Sequence, residues 1–472
     1  MLNFFKKFVS NESGMTLPML GLAFMTVCGF VGMSVDVARL QLVQSRLSFA
    51  LDAAGLAAGS TVNTSNLSAE VAKYLNANYP TNYMGSTAPN ISATVSDDKS
   101  IINLTASTKL PTTFMAVLGK TELDVTASTE ITRETTGLEL VMALDNTGSM
   151  SGSKLTALKN AAKSLVNILF GTKESVDKLW VGLVPFAQSV NIGTSNSAWI
   201  DQTHFSSLIW GPTSWGGCVD ARDQAAGRDV TDDPPSVEKY KAYYSPSTDN
   251  RPAPYNTPTY LNYNKWVASR YADGTPKTFT SITSSRGPNA YCSATITPLT
   301  ASKSTILAGL NNMAATGNTH INLGAIWAWN MLSPRWRGTW GGEMTANSLP
   351  LDYGAEHMNK AVILMTDGDN TMSQPLYTAY GYLSDGRLGT TSNTSTARTT
   401  LNNKLSGICS AMKAKGIYVY SIVLGNPSTS TQTLMKNCAS AENFYFLSPS
   451  SGELEGVFST IADSLSSLRI SK

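Results

Sequence analysis

The pattern of apolar and polar positions changes character three times along the chain. Residues 13–35 carry no charge and include Leu17, Met19, Leu20, Leu22, Phe24, Met25, Val27, Phe30, Val31, Met33 and Val35. About 20 apolar residues span a bilayer as a helix, so this run predicts a transmembrane segment. Lys6 and Lys7 on the short leader keep residues 1–14 cytoplasmic and put everything after Asp36 across the membrane. A cleaved secretory signal has the same basic start and apolar middle, but no clear A-x-A site follows. A buried core helix is the third reading. Beyond Asp36, apolar positions Val37, Leu40, Val43, Leu47 and Leu51 recur at three and four, predicting an amphipathic stalk that continues the helix to Gly59.

Residues 60–135 read differently. A helix is expected over 67–77. Alternation over 91–95, 101–106 and 123–129 predicts short strands, so this segment reads as a small α+β domain. From 137 the rhythm becomes α/β. Apolar strands are expected at 138–144, 179–186, 361–365, 417–424 and 444–447. Helices are expected at 154–170, 323–332, 401–415, 431–438 and 454–468. Strands alternating with helices predict a doubly wound, mostly parallel sheet over 136–472. Residues 193–300 break the rhythm. They are rich in Trp, Tyr, Pro, Ser and Asn, with aromatics such as Trp199, Trp210, Trp215, Tyr240, Tyr243, Tyr244, Tyr260, Tyr263, Trp266 and Tyr271. So many aromatics argue for a folded insertion. They either fill its core or form a binding face.

Composition narrows the function. The 472 residues hold 35 basic and 33 acidic side chains, so no global field exists for gripping phosphates, and nucleic acid is not an expected partner. Charged residues make up 14%, well under the usual quarter, and Ser, Thr, Asn and Gly take their place, as suits an envelope or extracellular protein. The histidines are His204, His320 and His357, without a metalloprotease spacing. Cys28 lies in the apolar run. Cys218, Cys292, Cys409 and Cys438 form an even set in the exported part, which predicts two disulfides. Three pairings are possible. Cys218–Cys292 and Cys409–Cys438 are preferred because each pair brackets one local segment. Reduced thiols are the alternative, and a four-cysteine zinc site lacks any C-x2-C pair.

The candidate chemistry lies at strand ends. Asp145-Asn-Thr147-Gly-Ser149 follows an apolar strand and precedes a helix, placing a carboxylate and two hydroxyls at alternate positions. Thr366-Asp367-Gly368 ends a second strand, and Gly317-Asn-Thr319 precedes a further helix. Ligands in doubly wound sheets bind at the carboxyl ends of strands. Five oxygen donors suit a hard divalent cation: Mg²⁺ first, with Mn²⁺ or Ca²⁺ accepting the same set. The plainer reading is that both aspartates cap helices. Ser149 is not in a nucleophile elbow, and Gly152-Ser-Lys154 lacks the earlier glycine of a phosphate loop. No enzyme is predicted. An oxygen-ligand metal hydrolase is the remaining catalytic alternative.

These motifs carry resemblances. Strand–Asp145-x-Thr147-x-Ser149–helix, then Gly-x-Thr319, then Thr-Asp367-Gly, resembles a von Willebrand factor A-type domain with its metal-ion-dependent adhesion site. Thr147 stands where that family usually has Ser. The resemblance implies that Asp145, Thr147, Ser149 and Thr319 bind the metal directly or through water, and Asp367 through water. An acidic side chain of a protein partner then completes the coordination. The leading segment, with Asp36, Arg46-Leu47, Ala50 and Asp52-Ala-Ala-Gly-Leu-Ala-Ala, resembles TadE/TadG-type pilus-assembly proteins. So do Trp215-Gly-Gly-Cys218-Val-Asp-Ala-Arg222, Pro298-Leu-Thr300, Leu332-Ser-Pro334 and Cys438-Ala-Ser. Gly14-Met15 is similar to a prepilin junction, although Met19 replaces the expected Glu. Together they imply a single-pass inner-membrane protein of a Tad (Flp) pilus system, its bulk periplasmic or surface-exposed, binding protein through a divalent cation. The alternative is a structural envelope protein that binds no metal and works through its aromatic insertion.

Overall fold

The computed structural model describes residues 16–59, 67–96, 101–132, 136–250, 263–448 and 450–470. The leader with Lys6 and Lys7, the Gly14-Met15 junction and Tyr260 lie outside the described residues. The chain divides into two units, Met1–Thr135 with Ile470–Lys472, and Thr136–Arg469.

The first unit is built on one helix, α1 (Thr16–Gly59), of 44 residues. At 1.5 Å per residue it is about 66 Å long. Its first half is largely uncovered among the described residues. Met19, Leu20, Leu22, Phe24, Met25, Val27, Phe30, Val31 and Val35 are 44–76% exposed. It is the one helix among the described residues long and apolar enough to cross a membrane. The second half turns a narrow stripe inward: Val43, Leu47, Ala50, Leu51 and Ala54 are buried. This stripe shares one core with α2 (Leu67–Asn78) and the antiparallel meander β1 (Asn90–Val95), β2 (Ile101–Pro111) and β3 (Glu122–Thr132). What reads as a stalk is thus the core helix of the α+β unit. Leu67, Val71, Leu75, Ile102, Leu104, Leu110 and Val125 cover it, because short amphipathic strands need an apolar face to pack on.

Asp36, the first charge after the apolar run, is buried. Its carboxylate accepts from the backbone N–H groups of Thr113 at 3.0 Å, Phe114 at 2.8 Å and Met115 at 2.8 Å, all in the β2–β3 loop. Arg39 donates to Asp36 at 3.4 Å, to Thr113 Oγ1 at 2.8 Å and to the Met84 carbonyl at 2.7 Å.

The second unit opens with β4 (Gly137–Asp145), α3 (Ser153–Phe170), β5 (Leu179–Phe186), β6 (Val190–Asn191), α4 (Gln202–Ser206), β7 (Cys218–Val219), β8 (Val267–Arg270), β9 (Pro276–Phe279) and β10 (Thr297–Thr300). It continues through α5 (Lys303–Asn312), α6 (Ile321–Leu332), α7 (Gly342–Ala346), β11 (Met358–Thr366), α8 (Thr394–Ala414), β12 (Tyr418–Leu424), α9 (Thr429–Cys438), β13 (Tyr445–Ser448) and α10 (Leu454–Ile470). The main sheet runs β13-β12-β11-β4-β5-β6-β7, with β10 also on β5. The first five are parallel. Strands β6, β7 and β10 are antiparallel additions.

Every residue of β4 is buried, yet the strand still sorts its side chains by the two-residue period. Leu138, Leu140, Met142 and Leu144 face α3, α5 and α10, while Val141 and Ala143 face α6 and α8. All twelve residues of α6 are buried. A glycine on each side permits this approach. A Cβ on Gly182 of β5 would stand 2.3 Å from Met331 Sδ, and one on Gly324 of α6 2.3 Å from the Phe186 ring.

The irregular stretch is folded onto this sheet. Its last four residues are β10, and Cys218–Val219 adds the far edge strand. Trp199 and Tyr240 enter the main core beside Trp327, Trp336 and Trp340, with ring centroids 5.0–6.4 Å apart. Disulfides join Cys218 to Cys292, 74 residues apart, and Cys409 to Cys438, 29 apart. Cys28 is free and exposed on α1.

Two predictions follow from the packing of this unit. Replacing Cys409 and Cys438 together by Ala should lower unfolding free energy by about 3.6 kcal/mol, as expected for a loop of this length, measured by denaturant titration. Peptide mass mapping without reductant should return the two pairs described, and free thiols at Cys409 and Cys438 would contradict the fold. The second concerns Asp220, whose pKa burial raises to about 7 despite Arg387 at 3.6 Å and a 2.8 Å hydrogen bond from Tyr377 Oη. Lys241 also favours its charge, and Asp385 opposes it. The folded state therefore holds a proton that the unfolded chain has released, and Asp220 makes stability fall as pH rises from about 4 through about 7. Asp220→Asn should flatten that slope in pH-dependent denaturation. An unchanged slope would place the ionised form in the fold.

Candidate metal centre

The site begins with a register. Asp145 ends β4 opposite Phe186 of β5, and Leu144 pairs with Met365 of β11, so Thr366 emerges beside Asp145. Asp145 has no exposed surface. Its Oδ1 accepts from the Thr147 backbone N–H at 2.9 Å and from Thr147 Oγ1 at 2.5 Å. Its Oδ2 accepts from Thr366 Oγ1 at 2.7 Å. Burial, and then the nearby Asp367 charge, hold the Asp145 carboxyl above the ordinary carboxylate range. These hydrogen bonds oppose that rise without cancelling it. No cation pairs with Asp145 among the described residues.

A turn at Gly148–Met150 carries the chain from Asp145 towards α3. Gly148 N–H donates to the Gly317 carbonyl at 3.0 Å, which fixes the 317–319 loop against the first. Gly317 has φ +64°, and a Cβ there would meet Gln188 Oε1 at 2.7 Å. That same Gln188 oxygen accepts from Asn318 N–H at 2.8 Å. So held, Thr319 Oγ1 lies 3.2 Å from Thr147 Oγ1. Ser149 Oγ lies 3.0 Å from Thr147 Oγ1 and donates to Asp367 Oδ1 at 2.5 Å. Asp145, Thr147, Ser149, Thr319 and Asp367 thus form one connected cluster from three loops.

Two participants are not among the five expected donors. Thr366 is recognisable only through its place before Asp367 at a strand end. Lys154, in the first turn of α3, donates to Asp367 Oδ2 at 2.6 Å and pairs with a carboxylate that has no exposed side-chain surface. His320, next to Thr319, is fully buried against the Tyr380 ring. Burial lowers its pKa to about 3, so it is a neutral packed ring. Neither of its ring nitrogens has a hydrogen-bond partner among the described residues.

The donors suit a hard cation. Two carboxylates and three hydroxyls offer oxygen only, and Ser149 is exposed, leaving that side open to solvent. The hydroxyls are needed, since among the described residues no three His, Cys, Asp or Glu side chains gather where a metal could be held.

No protein-family model matches the sequence, and no curated protein matches it. Among solved structures, the chain is similar to the von Willebrand factor domain of Mfa5, a type V pili tip protein of Porphyromonas gingivalis. Identity is 11% and the TM-score 0.36, over 72% of this chain and 97% of that one. It is similar to the pilus adhesin SpaC of Lactobacillus rhamnosus GG at 11% identity and a TM-score of 0.35, over 80% of this chain and 34% of that one. It is also similar to proximal thread matrix protein 1 of the mussel byssus, solved with a zinc-occupied MIDAS motif. There identity is 12% and the TM-score 0.31, over 71% of this chain and 47% of the other. The chain therefore spans about half the length of the byssus protein. Its own strand order and crossovers give the fold class of Thr136–Arg469: von Willebrand A-like α/β, a doubly wound, mostly parallel sheet.

Proposed function

We propose that the protein is a membrane-anchored, divalent-cation-dependent protein-binding component of a Tad-type pilus system, acting in adhesion or assembly and without catalysis. The observation that carries this reading is the oxygen-only cluster at the carboxyl ends of β4 and β11, open to solvent at Ser149. In this reading Asp145, Thr147, Ser149, Thr319 and Asp367 hold the ion, Mg²⁺ first, with Mn²⁺ or Ca²⁺ as alternatives. A bound cation offers an acidic side chain of a partner protein an open coordination position. Thr147 and Thr366 keep Asp145 oriented, and Ser149 sits at the rim where the partner arrives.

The anchor is the exposed apolar half of α1, which supports an envelope location: the bacterial inner membrane, with the bulk of the chain periplasmic or at the surface. Residues 1–14 are then a cytoplasmic leader and 15–59 the membrane helix with its extension. Residues 60–135 complete the small α+β domain, and 136–472 form the binding domain with its insertion at 193–300. The TadG-like assignment rests on the leading segment through Asp52-Ala-Ala-Gly-Leu-Ala-Ala and on the motifs around Cys218 and Cys438.

The Lys154–Asp367 contact favours a second reading, a structural domain whose strand-end carboxylates are already compensated from within. Calorimetric titration of Mg²⁺ and Mn²⁺ into the full chain in lipid nanodiscs separates the two. The parent should bind, and Asp145→Ala should lose binding at least about 100-fold, the effect of deleting a buried charged ligand. Lys154→Gln should bind about tenfold more tightly, since a cation a few Å away opposes the ion by on the order of 1 kcal/mol in a solvated site. Absence of binding by the parent and by Lys154→Gln would leave the structural reading.

A further inference from the structure

The β2–β3 loop places large apolar side chains in the open. Phe114 is 48% exposed, Val117 87% and Leu118 67%, and Met84, held to the same corner through Arg39, is 42% exposed. Monomeric soluble proteins seldom leave such a cluster uncovered. The cluster sits against α1 at a particular height. The Phe114 ring covers Gly32, where a Cβ would meet Phe114 Cγ at 2.6 Å. Gly32 lies three residues before Val35, the end of the uncharged run, or about 4.5 Å along the helix axis. Around it, Phe30, Val31 and Val35 are themselves exposed.

We propose that this loop is a lipid-contacting collar, inserting Phe114, Val117 and Leu118 into the bilayer interface where α1 leaves the membrane. The inference rests on the reading that residues 13–35 span the membrane. Continuity selects lipid as the occupant. The collar continues the exposed apolar flank of the helix at the same height, so whatever solvates that flank meets the loop as well. The loop is also held in place. A buried carboxylate needs donors, and the Asp36 carboxylate finds them in the backbone N–H groups of Thr113, Phe114 and Met115. The collar is therefore tied to the residue at which charge first returns to the helix. Apolar and aromatic side chains at this level are favoured in the boundary between acyl chains and headgroups. Lys120, exposed at the end of the loop, is placed to meet lipid phosphates.

The test uses the full chain, with Cys28→Ser, in phosphatidylcholine–phosphatidylglycerol nanodiscs. A nitroxide is attached in turn to Val117→Cys in the collar, Leu22→Cys in the first half of α1, and Ser92→Cys on β1. Spin relaxation by oxygen, which concentrates in lipid, is compared with relaxation by a water-soluble nickel chelate. The oxygen-to-nickel ratio at 117 should be several-fold above that at 92 and approach that at 22. If 117 behaves like 92 while 22 remains in lipid, the collar is wrong and the anchor stands. If 117 is shielded from both reagents, protein covers the loop and the proposal fails. If 22 itself is open to nickel, the membrane reading fails and takes the collar with it.

Discussion

A carboxylate without exposed surface ends the central strand of the larger unit, and the carboxyl end of that sheet is organised around it. Leaving the Asp145 charge uncompensated in the interior is costly, so each nearby loop supplies something. Thr147 donates twice and Thr366 once. The 317–319 loop is pinned by Gly148 and Gln188 so that Thr319 reaches Thr147. Helix α6 can follow that loop directly because Gly182 and Gly324 let it lie against β5. Asp367 adds a second negative charge, and Lys154 answers it. The result is one hydrogen-bonded cluster built of the oxygens that a hard cation prefers. Lys154 thus answers from within the chain part of the charge that the two carboxylates bring together.

The strands and helices of this unit were legible because parallel strands buried on both faces read as apolar runs, and helices α3, α8 and α10 keep one apolar face. The boundaries at 179–186 agree with β5, while α8 begins seven residues before the expected 401. Its first turns, from Thr394, are polar and lack an apolar stripe to mark them. Asp145, Thr147, Ser149 and Asp367 stood out through their places after apolar strands, and Thr319 through its place before a helix. Lys154 did not, since a lysine in the first turn of a helix looks like any solvated cation until the fold sets it beside Asp367. Glu139 hid for the opposite reason. It interrupts an apolar strand, and only the structure supplies its buried partner Lys360 on β11 and the Leu351 N–H that donates to it at 2.7 Å.

The irregular stretch resisted periodic reading because its order is not periodic. It is held by one disulfide, by tryptophan rings interleaved with α6 and the 3₁₀ turn at Pro334–Trp336, and by side-chain bonds to backbone such as Trp215 Nε1 to the Cys218 carbonyl at 2.6 Å. The disulfide spans 74 residues, and the rings of Trp199 and Trp336 meet from far apart in the sequence, where no local window can find them. The aromatic content did signal a folded segment, and five of those rings, Trp199, Trp215, Tyr240, Tyr243 and Trp266, are buried. Their first role is packing, while Tyr263 and Tyr271 remain exposed.

Asp36 and the loop that binds it are 77 residues apart, and that distance orders events during synthesis. The carboxylate is made long before the three amide donors that satisfy it. On the proposed reading that α1 spans a membrane, hydropathy alone would set the depth of the helix only coarsely. Closing of the β2–β3 loop on Asp36 would then fix that depth, so the position of the anchor would be set by a segment made well after it.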